Sequence, residues 1–344
     1  MQPNMTIGLD IAKHVFQVHA VDAAGAIVIR RKLRRSDLLS FFEGLEPSLV
    51  GIEACATAHH WARSIMALGH QVKLMPPAYV KPYVKRQKND AADAAAICEA
   101  VSRPSMRFVP VKEVDQQGVL VLHRTRDLLI RQRTMLINAL RAHLAEFGII
   151  MRQGRAGVTA LVASVEEGKA EHLPELARTA LMSLIAQLRD AHARANEIER
   201  EILTWHRNDE RSRRLETIPG VGPITASAVV ATVTDPSMFA SGRELAAWIG
   251  LVPRQSSSGG KERLGRISKK GDPYVRRLLV VGAHSVLRIA RAKKPGSSNL
   301  ITWGAELAAR KPYKLAAVAL ANKMARIVWA LMAKNEVYRR QMPA

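Results

Sequence analysis

The first hundred residues alternate strand and helix signals in an order that leaves few folds open. Thr6-Ile7-Gly8-Leu9-Asp10-Ile11 is a short apolar run with a carboxylate near its end, and Val15 to Val21 alternates at the two-residue period of a strand. Asp22-Ala23-Ala24-Gly25 reads as a turn and Ala26-Ile27-Val28-Ile29 as a third strand. A helix is expected from Ser36, read as its N-cap, to Gly44. Leu49-Val50-Gly51-Ile52-Glu53 is a buried strand that again ends on a carboxylate. A helix from Ala58 to Leu68, a strand from Gln71 to Met75 stopped by Pro76-Pro77, and a helix from Asp90 to Val101 capped by Asn89 complete the pattern. The order β-β-β-α-β-α-β-α predicts a mixed sheet in a three-layer α/β domain.

The remainder reads as helical. Residues 112–147 carry Arg124, Arg126, Arg131, Arg133 and Arg141, which suggest one basic side, and glycines at 154 and 157 interrupt the pattern. Residues 174–207 combine helical period with mixed charge, which suits a coiled coil or, equally, a solvated spacer. The expected division is an α/β domain over 1–155, a helical linker over 156–212, and a mainly α C-terminal domain over 213–344.

Charge narrows the partners. Lys plus Arg is 52 against 30 for Asp plus Glu, a net charge of +22. A globular chain this basic repels itself unless an acidic partner neutralises it. The most apolar C-terminal stretch, Leu315 to Met332, is broken by Lys323 and Arg326, so a membrane span is not expected and nucleic acid is the better partner. Cys55 and Cys98 have neither zinc-ligand nor disulfide spacing. No export signal is read at the N-terminus, and a cytoplasmic location is expected.

Four carboxylates stand out. Asp10 lies at the end of the first strand, Glu53 at the end of the fourth, and Asp90 and Asp93 share a face at the start of one helix. Each alone has a structural reading: Asp90, for example, favours a helix N-terminus. Brought together, the four repel unless their pKa values rise or a cation neutralises them. Oxygen donors suit Mg²⁺, and two such ions about 3.5–4 Å apart can clamp a phosphodiester. Lys81, Lys85, Arg86 and Lys88 would bring a nucleic-acid backbone close.

Ile7-Gly8-Leu9-Asp10-Ile11-Ala12-Lys13, Gly51-Ile52-Glu53-Ala54-Cys55 and Lys88-Asn89-Asp90-Ala91-Ala92-Asp93-Ala94 resemble the DEDD transposases of bacterial insertion sequences. The family is the "one-ten" group, the wording is closest to its "eleven-eleven" branch, and Piv-type DNA invertases are similar. The resemblance runs from residue 5 nearly to the end. It implies a RuvC-like, ribonuclease-H-like N-terminal domain with Asp10, Glu53, Asp90 and Asp93 as the metal-binding acids, loaded with Mg²⁺ or Mn²⁺.

Two motifs follow in the C-terminal part. Ile218-Pro219-Gly220-Val221-Gly222-Pro223 fits a helix-hairpin-helix, in which Gly220 and Gly222 would let backbone N–H groups approach a phosphate; a tight turn without ligand fits as well. Between Leu251 and Arg277 there are eight Lys or Arg and two acids, around Ser256-Ser257-Ser258-Gly259-Gly260-Lys261, expected as an exposed loop. This wording is also similar to the family's C-terminal domain, where a serine before glycine is the nucleophile. That implies Ser258, with Ser257 the alternative register, and phosphate contacts from Lys261, Lys269, Arg276 and Arg277. The resemblance further implies DNA ends and a target as substrates, a structured bridge RNA as guide, held by the 124–141 helix and the 81–88 patch, and a dimer or tetramer. A junction-resolvase-like nuclease using water, and a non-catalytic DNA-binding protein, are the competing readings.

Overall fold

The computed structural model describes residues 5–85, 89–150, 152, 154–167, 173–257, 260–292 and 299–339. The chain forms two compact units, 1–113 and 114–344. The long helix that follows Glu113 packs within the second of these units.

In the first unit, β1 (Met5–Ile11), β2 (Val15–Asp22) and β3 (Ile27–Arg34) form the antiparallel meander, and β4 (Leu49–Glu53) and β5 (Gln71–Met75) continue the sheet in parallel. The strand order is β3-β2-β1-β4-β5. The edge strand β3 bears Arg30, Arg31, Lys32 and Arg34, charge that discourages pairing with another sheet.

One face of the sheet is covered by α1 (Leu38–Glu43) and α2 (Ala58–Ala67), with Ile7, Leu9, Val50 and Ile52 packed against Phe42, Trp61 and Ile65. The first of these helices begins one residue later than expected. Residues 35–37 form a 3-10 turn, Asp37 takes the N-cap position, and the Ser36 hydroxyl donates to the Asp37 carboxylate at 2.6 Å.

The opposite face is covered by α4 (Asp90–Val101), reached through the short α3 (Pro77–Val80). Here the packing is set by two glycines. Gly8 and Gly51 are paired across the parallel β1/β4 ladder. A Cβ at Gly8 would lie 2.1 Å from the Ala94 carbonyl oxygen and 2.4 Å from the Cys98 nitrogen; at Gly51 it would lie 2.8 Å from Val101 Cβ. The helix backbone therefore rests directly on the sheet, and its surface of alanines, Ala91 to Ala96 apart from Asp93, adds little bulk.

The second unit is helical. The helices α5 (Val114–Ala145) and α7 (Glu175–Asn208) pack along each other, with α6 (Arg155–Glu166) closing a cluster of Leu140, Leu144, Leu161, Leu181, Ile185 and Leu188. The apolar stripe of α7 that suggested a coiled coil is thus taken up inside the chain. At its end, α8 (Glu210–Glu216) is clamped back. His206 Nδ1 lies 2.7 Å from the Ser212 hydroxyl and Nε2 lies 2.8 Å from the Glu216 carboxylate, and Ser212 is fully buried.

The turn 217–222 leads into α9 (Pro223–Thr232), followed by α10 (Gly242–Ile249), a hairpin of β6 (Pro253–Gln255) and β7 (Leu264–Ile267), α11 (Pro273–Arg291), α12 (Asn299–Arg310) and α13 (Tyr313–Lys334). By length and composition α13 could cross a membrane, contrary to the reading that its two cations exclude it. Its Ala317, Leu320, Met324 and Val328 instead form the centre of the C-terminal core with Leu279, Ala283 and Val286 of α11.

Removing the slack at the glycine contact should be costly. Gly8→Ala is expected to lower stability by about 3 kcal/mol through overpacking. Gly118→Ala, at an exposed position inside α5 with open space around it, should raise stability by about 1 kcal/mol. Thermal melting of the two variants checks both signs; equal melting temperatures would contradict the tight contact.

Candidate metal centre and basic surfaces

The glycine contact places the acids. Asp10 is two residues beyond Gly8 on β1, and Glu53 two residues beyond Gly51 on β4, so both belong to the face that α4 covers. Asn89 caps α4 by accepting from the Ala92 N–H at 2.8 Å, and Asp90 and Asp93 occupy its first turn, where the helix dipole favours carboxylates. Carboxylate oxygens of Asp10, Asp90 and Asp93 all lie within 4.8 Å of one another. Glu53 is outside that group but near enough to repel Asp10.

Electrostatics records the crowding. Burial first, then repulsion from Asp93, Asp90 and Glu53, pushes the Asp10 carboxyl up to about 6, against a lowering hydrogen bond from the Ile11 N–H. Burial, Glu53 and Asp10 likewise raise the Cys55 thiol. Three converging carboxylates with only oxygen donors fit a hard divalent cation, and Asp10, Asp90 and Asp93 would be its ligands, with Glu53 alongside.

The expected phosphate contacts sort into groups. Arg86, Lys88 and Ser258 lie outside the described residues. Lys85 is 83% exposed and pairs with Glu99 at 3.2 Å. On α5 the basic side is split: Arg124 and Arg131 face solvent, whereas Arg126 forks onto Glu199 at 2.7 and 2.8 Å and Arg133 approaches His192 at 3.4 Å.

Gly220, at φ +85°, is pressed against α11: a Cβ there would meet the Gly282 carbonyl oxygen at 2.7 Å. Its glycine is thus required by helix packing, while Gly222 has open space.

The serine segment is framed by the β6/β7 hairpin, tied by the Ser256 N–H to the Arg263 carbonyl at 3.0 Å. The Ser257 hydroxyl accepts from the Arg263 N–H at 3.2 Å. Lys261 and Lys269 are exposed, and Lys269 adopts the left-handed conformation at φ +55°, uncommon for a side-chain-bearing residue. Arg276 is engaged elsewhere, donating to the Ile249 and Lys270 carbonyls, both at 2.7 Å. Arg277 is paired with Asp127 and stands 5.3 Å over the Tyr274 ring. Asp127, which also faces Arg131 at 3.5 Å, was not singled out from sequence, nor was buried His123, 3.0 Å from the Tyr274 hydroxyl. Neither has a local motif that announces it; both pairings span about 150 residues of chain.

Comparison with known proteins agrees with this acid-bearing, basic architecture. Residues 7–149 match the DEDD transposase family of IS110 elements, so the class is that of enzymes which catalyse DNA strand cleavage and transfer. Residues 212–296 match the transposase IS116/IS110/IS902 family, and the chain belongs to that family. A "Probable family 20 transposase" of Pseudomonas aeruginosa is 50% identical over 97% of the chain and 98% of the relative. The transposase for insertion sequence element IS1328 of Yersinia enterocolitica is 41% identical over 98% of the chain and 99% of the relative. The transposase for IS1111A of Coxiella burnetii is 41% identical over 97% and 91% respectively.

The raised Asp10 value has a signed consequence. An acid held above its ordinary 3.8 binds more protons in the folded state, so its contribution to stability is complete below 3.8 and is lost as pH rises through about 6. Metal-free protein should therefore melt lower as pH rises across that interval, and Mg²⁺ or Mn²⁺ should restore stability above it. Asp10→Asn should flatten both responses. Parallel melting curves for wild type and Asp10→Asn in a pH series would refute the coupling.

Proposed function

We propose that this transposase cuts and rejoins the strands of an insertion element through a serine hydroxyl, with Asp10, Glu53, Asp90 and Asp93 as ligands of a divalent cation, Mg²⁺ or Mn²⁺. The observation that carries the reading is the convergence of three carboxylates within 4.8 Å on elements pinned by backbone contact. A cation held there would offset the charge of phosphodiester oxygens.

Ser258, from the same chain or a neighbouring one, is the nucleophile. Its Oγ forms a bond to phosphorus while the bond from phosphorus to the departing strand oxygen breaks. The serine proton is lost to solvent and the departing oxygen gains one. One phosphoester replaces another, so attack by a strand hydroxyl on the phosphoserine rejoins DNA without a nucleotide cofactor. Ser257 is the alternative, but its hydroxyl already accepts from Arg263.

Lys261, Lys269, Arg124 and Arg131 offer exposed charge for phosphates, with Lys85, Arg86 and Lys88 serving the acidic centre. Arg276 and Arg277 hold the hairpin's base and α5 in place through their carbonyl and Asp127 contacts. The turn at Gly220–Gly222 contributes main-chain N–H groups to the DNA backbone. A bridge RNA selects the DNA ends and target, and a dimer or tetramer handles the two DNA sites together.

Trapping the DNA joint tests this reading. Protein, element DNA, flanking RNA and Mg²⁺ are mixed and denatured, and a covalent protein–DNA band is expected. Ser258→Ala and Asp10→Asn should each reduce it by about 10³-fold or more. Cleaved DNA without a band, undiminished in Ser258→Ala, would assign the cut to water. Mixed Ser258→Ala and Asp10→Asn chains should regain part of the activity if neighbouring chains share the site; no recovery would confine it to one chain.

A further inference from the structure

A groove of about 1000 Å³ runs beside α13 in the second unit, bounded by the start of α10, the hairpin's base at Pro253 and Ile267, and Trp303 of α12. Among the described residues, three cations line it, Arg243, Lys323 and Arg326, and no carboxylate does. Arg243 and Arg326 are exposed. Among the described residues none of the three has a carboxylate within ion-pairing distance. Lys323 Nζ stands 4.1 Å from the Trp303 ring centroid; burial and repulsion from Arg326 lower its pKa, against the attraction of Glu306. Trp329 forms a fixed wall, its Nε1–H donating to the Pro236 and Phe239 carbonyls at 3.1 and 3.2 Å.

Gathering three cations at an apolar-walled concavity, with Glu306 acting on Lys323 but outside ion-pairing distance, costs electrostatic energy that a polyanion relieves. The aromatic and aliphatic walls ask in addition for a flat apolar group. Duplex nucleic acid supplies phosphates but hides its base faces. A second copy of the chain would bring the same net charge of +22. A single strand supplies both phosphates and free bases.

We propose that this groove is a binding track for a single-stranded segment of nucleic acid, with Arg243, Lys323 and Arg326 meeting its phosphates and a base lodged beside Trp303. The track lies wholly within the helical unit and needs neither metal nor the acidic centre.

The test uses the full chain without divalent metal and follows the anisotropy of labelled oligothymidylate, oligouridylate and a short duplex over a salt series. The Arg243→Ala/Arg326→Ala variant should bind single strands about tenfold more weakly, with a salt slope smaller by about two and duplex binding unchanged. Trp303→Leu should weaken single-strand binding by a similar factor and remove part of the tryptophan quenching seen on binding. Should Trp303→Leu fail to fold, the double variant, altered only at exposed side chains, still decides. Tighter binding of one sugar type supports the track and names its strand as DNA or RNA. Unchanged single-strand affinity, or equal loss for single strand and duplex, would overturn the proposal. So would an altered oligomeric state with strand affinity intact, which would give the groove to a second copy. Loss of the covalent band with this binding retained would count against the serine mechanism alone.

Discussion

The direct contact of a helix backbone with a sheet, allowed by Gly8 and Gly51, is the constraint on which the acidic centre depends. Side chains at those positions would hold α4 away, and the carboxylates of Asp90 and Asp93 would retreat from Asp10. The contact at Gly8 is made with the helix backbone, so α4 cannot shift away by a side-chain rotation alone. The fold supplies the opposing energy through the sheet's other face, where Ile7, Leu9, Val50 and Ile52 are fully buried. Apolar residues therefore hold one face together so that the other can gather like charges.

The second unit treats charge differently. Among the described residues, its basic side chains divide between paired and exposed ones. Arg126 turns inward to Glu199, Arg276 serves two carbonyls, and the half-exposed Arg277 is held by Asp127, which Arg131 also faces, while Arg124, Lys261 and Lys269 are exposed. The paired group ties α5 to α7 through Arg126 and α11 to α5 through Arg277. The outward group is what a polyanion could meet without breaking the structure.

Much of the first unit was legible in the sequence because strand and helix periods there are short and well punctuated. The strand–helix order, the Asn89 cap and the carboxylate positions all follow from local pattern, and all eight elements form. Ser36 failed as a cap because a 3-10 turn put Asp37 there instead. Which unit the helix after Glu113 packs in was not legible, since a helix's amphipathic stripe does not reveal which partner it faces. The same ambiguity left α7 open between a coiled coil and a solvated spacer, and its stripe packs on α5. The glycines of the acidic motifs were visible, but their packing role required α4 to be in place. Asp127 and His123 carried no signal because their partners are distant in sequence.

The corner between α7 and α8 bears on how catalytic sites are searched for. Ser212, His206 and Glu216 line up with spacings of 2.7 and 2.8 Å, the chain of contacts by which hydrolases activate a serine. A template search on interatomic distance alone would return this corner as an esterase or protease centre. Ser212 has no exposed surface, so no substrate carbonyl can reach it, and the three groups act as a latch that turns one helix into the next. Solvent access, a quantity absent from such templates, is what separates a reagent from a fastening here.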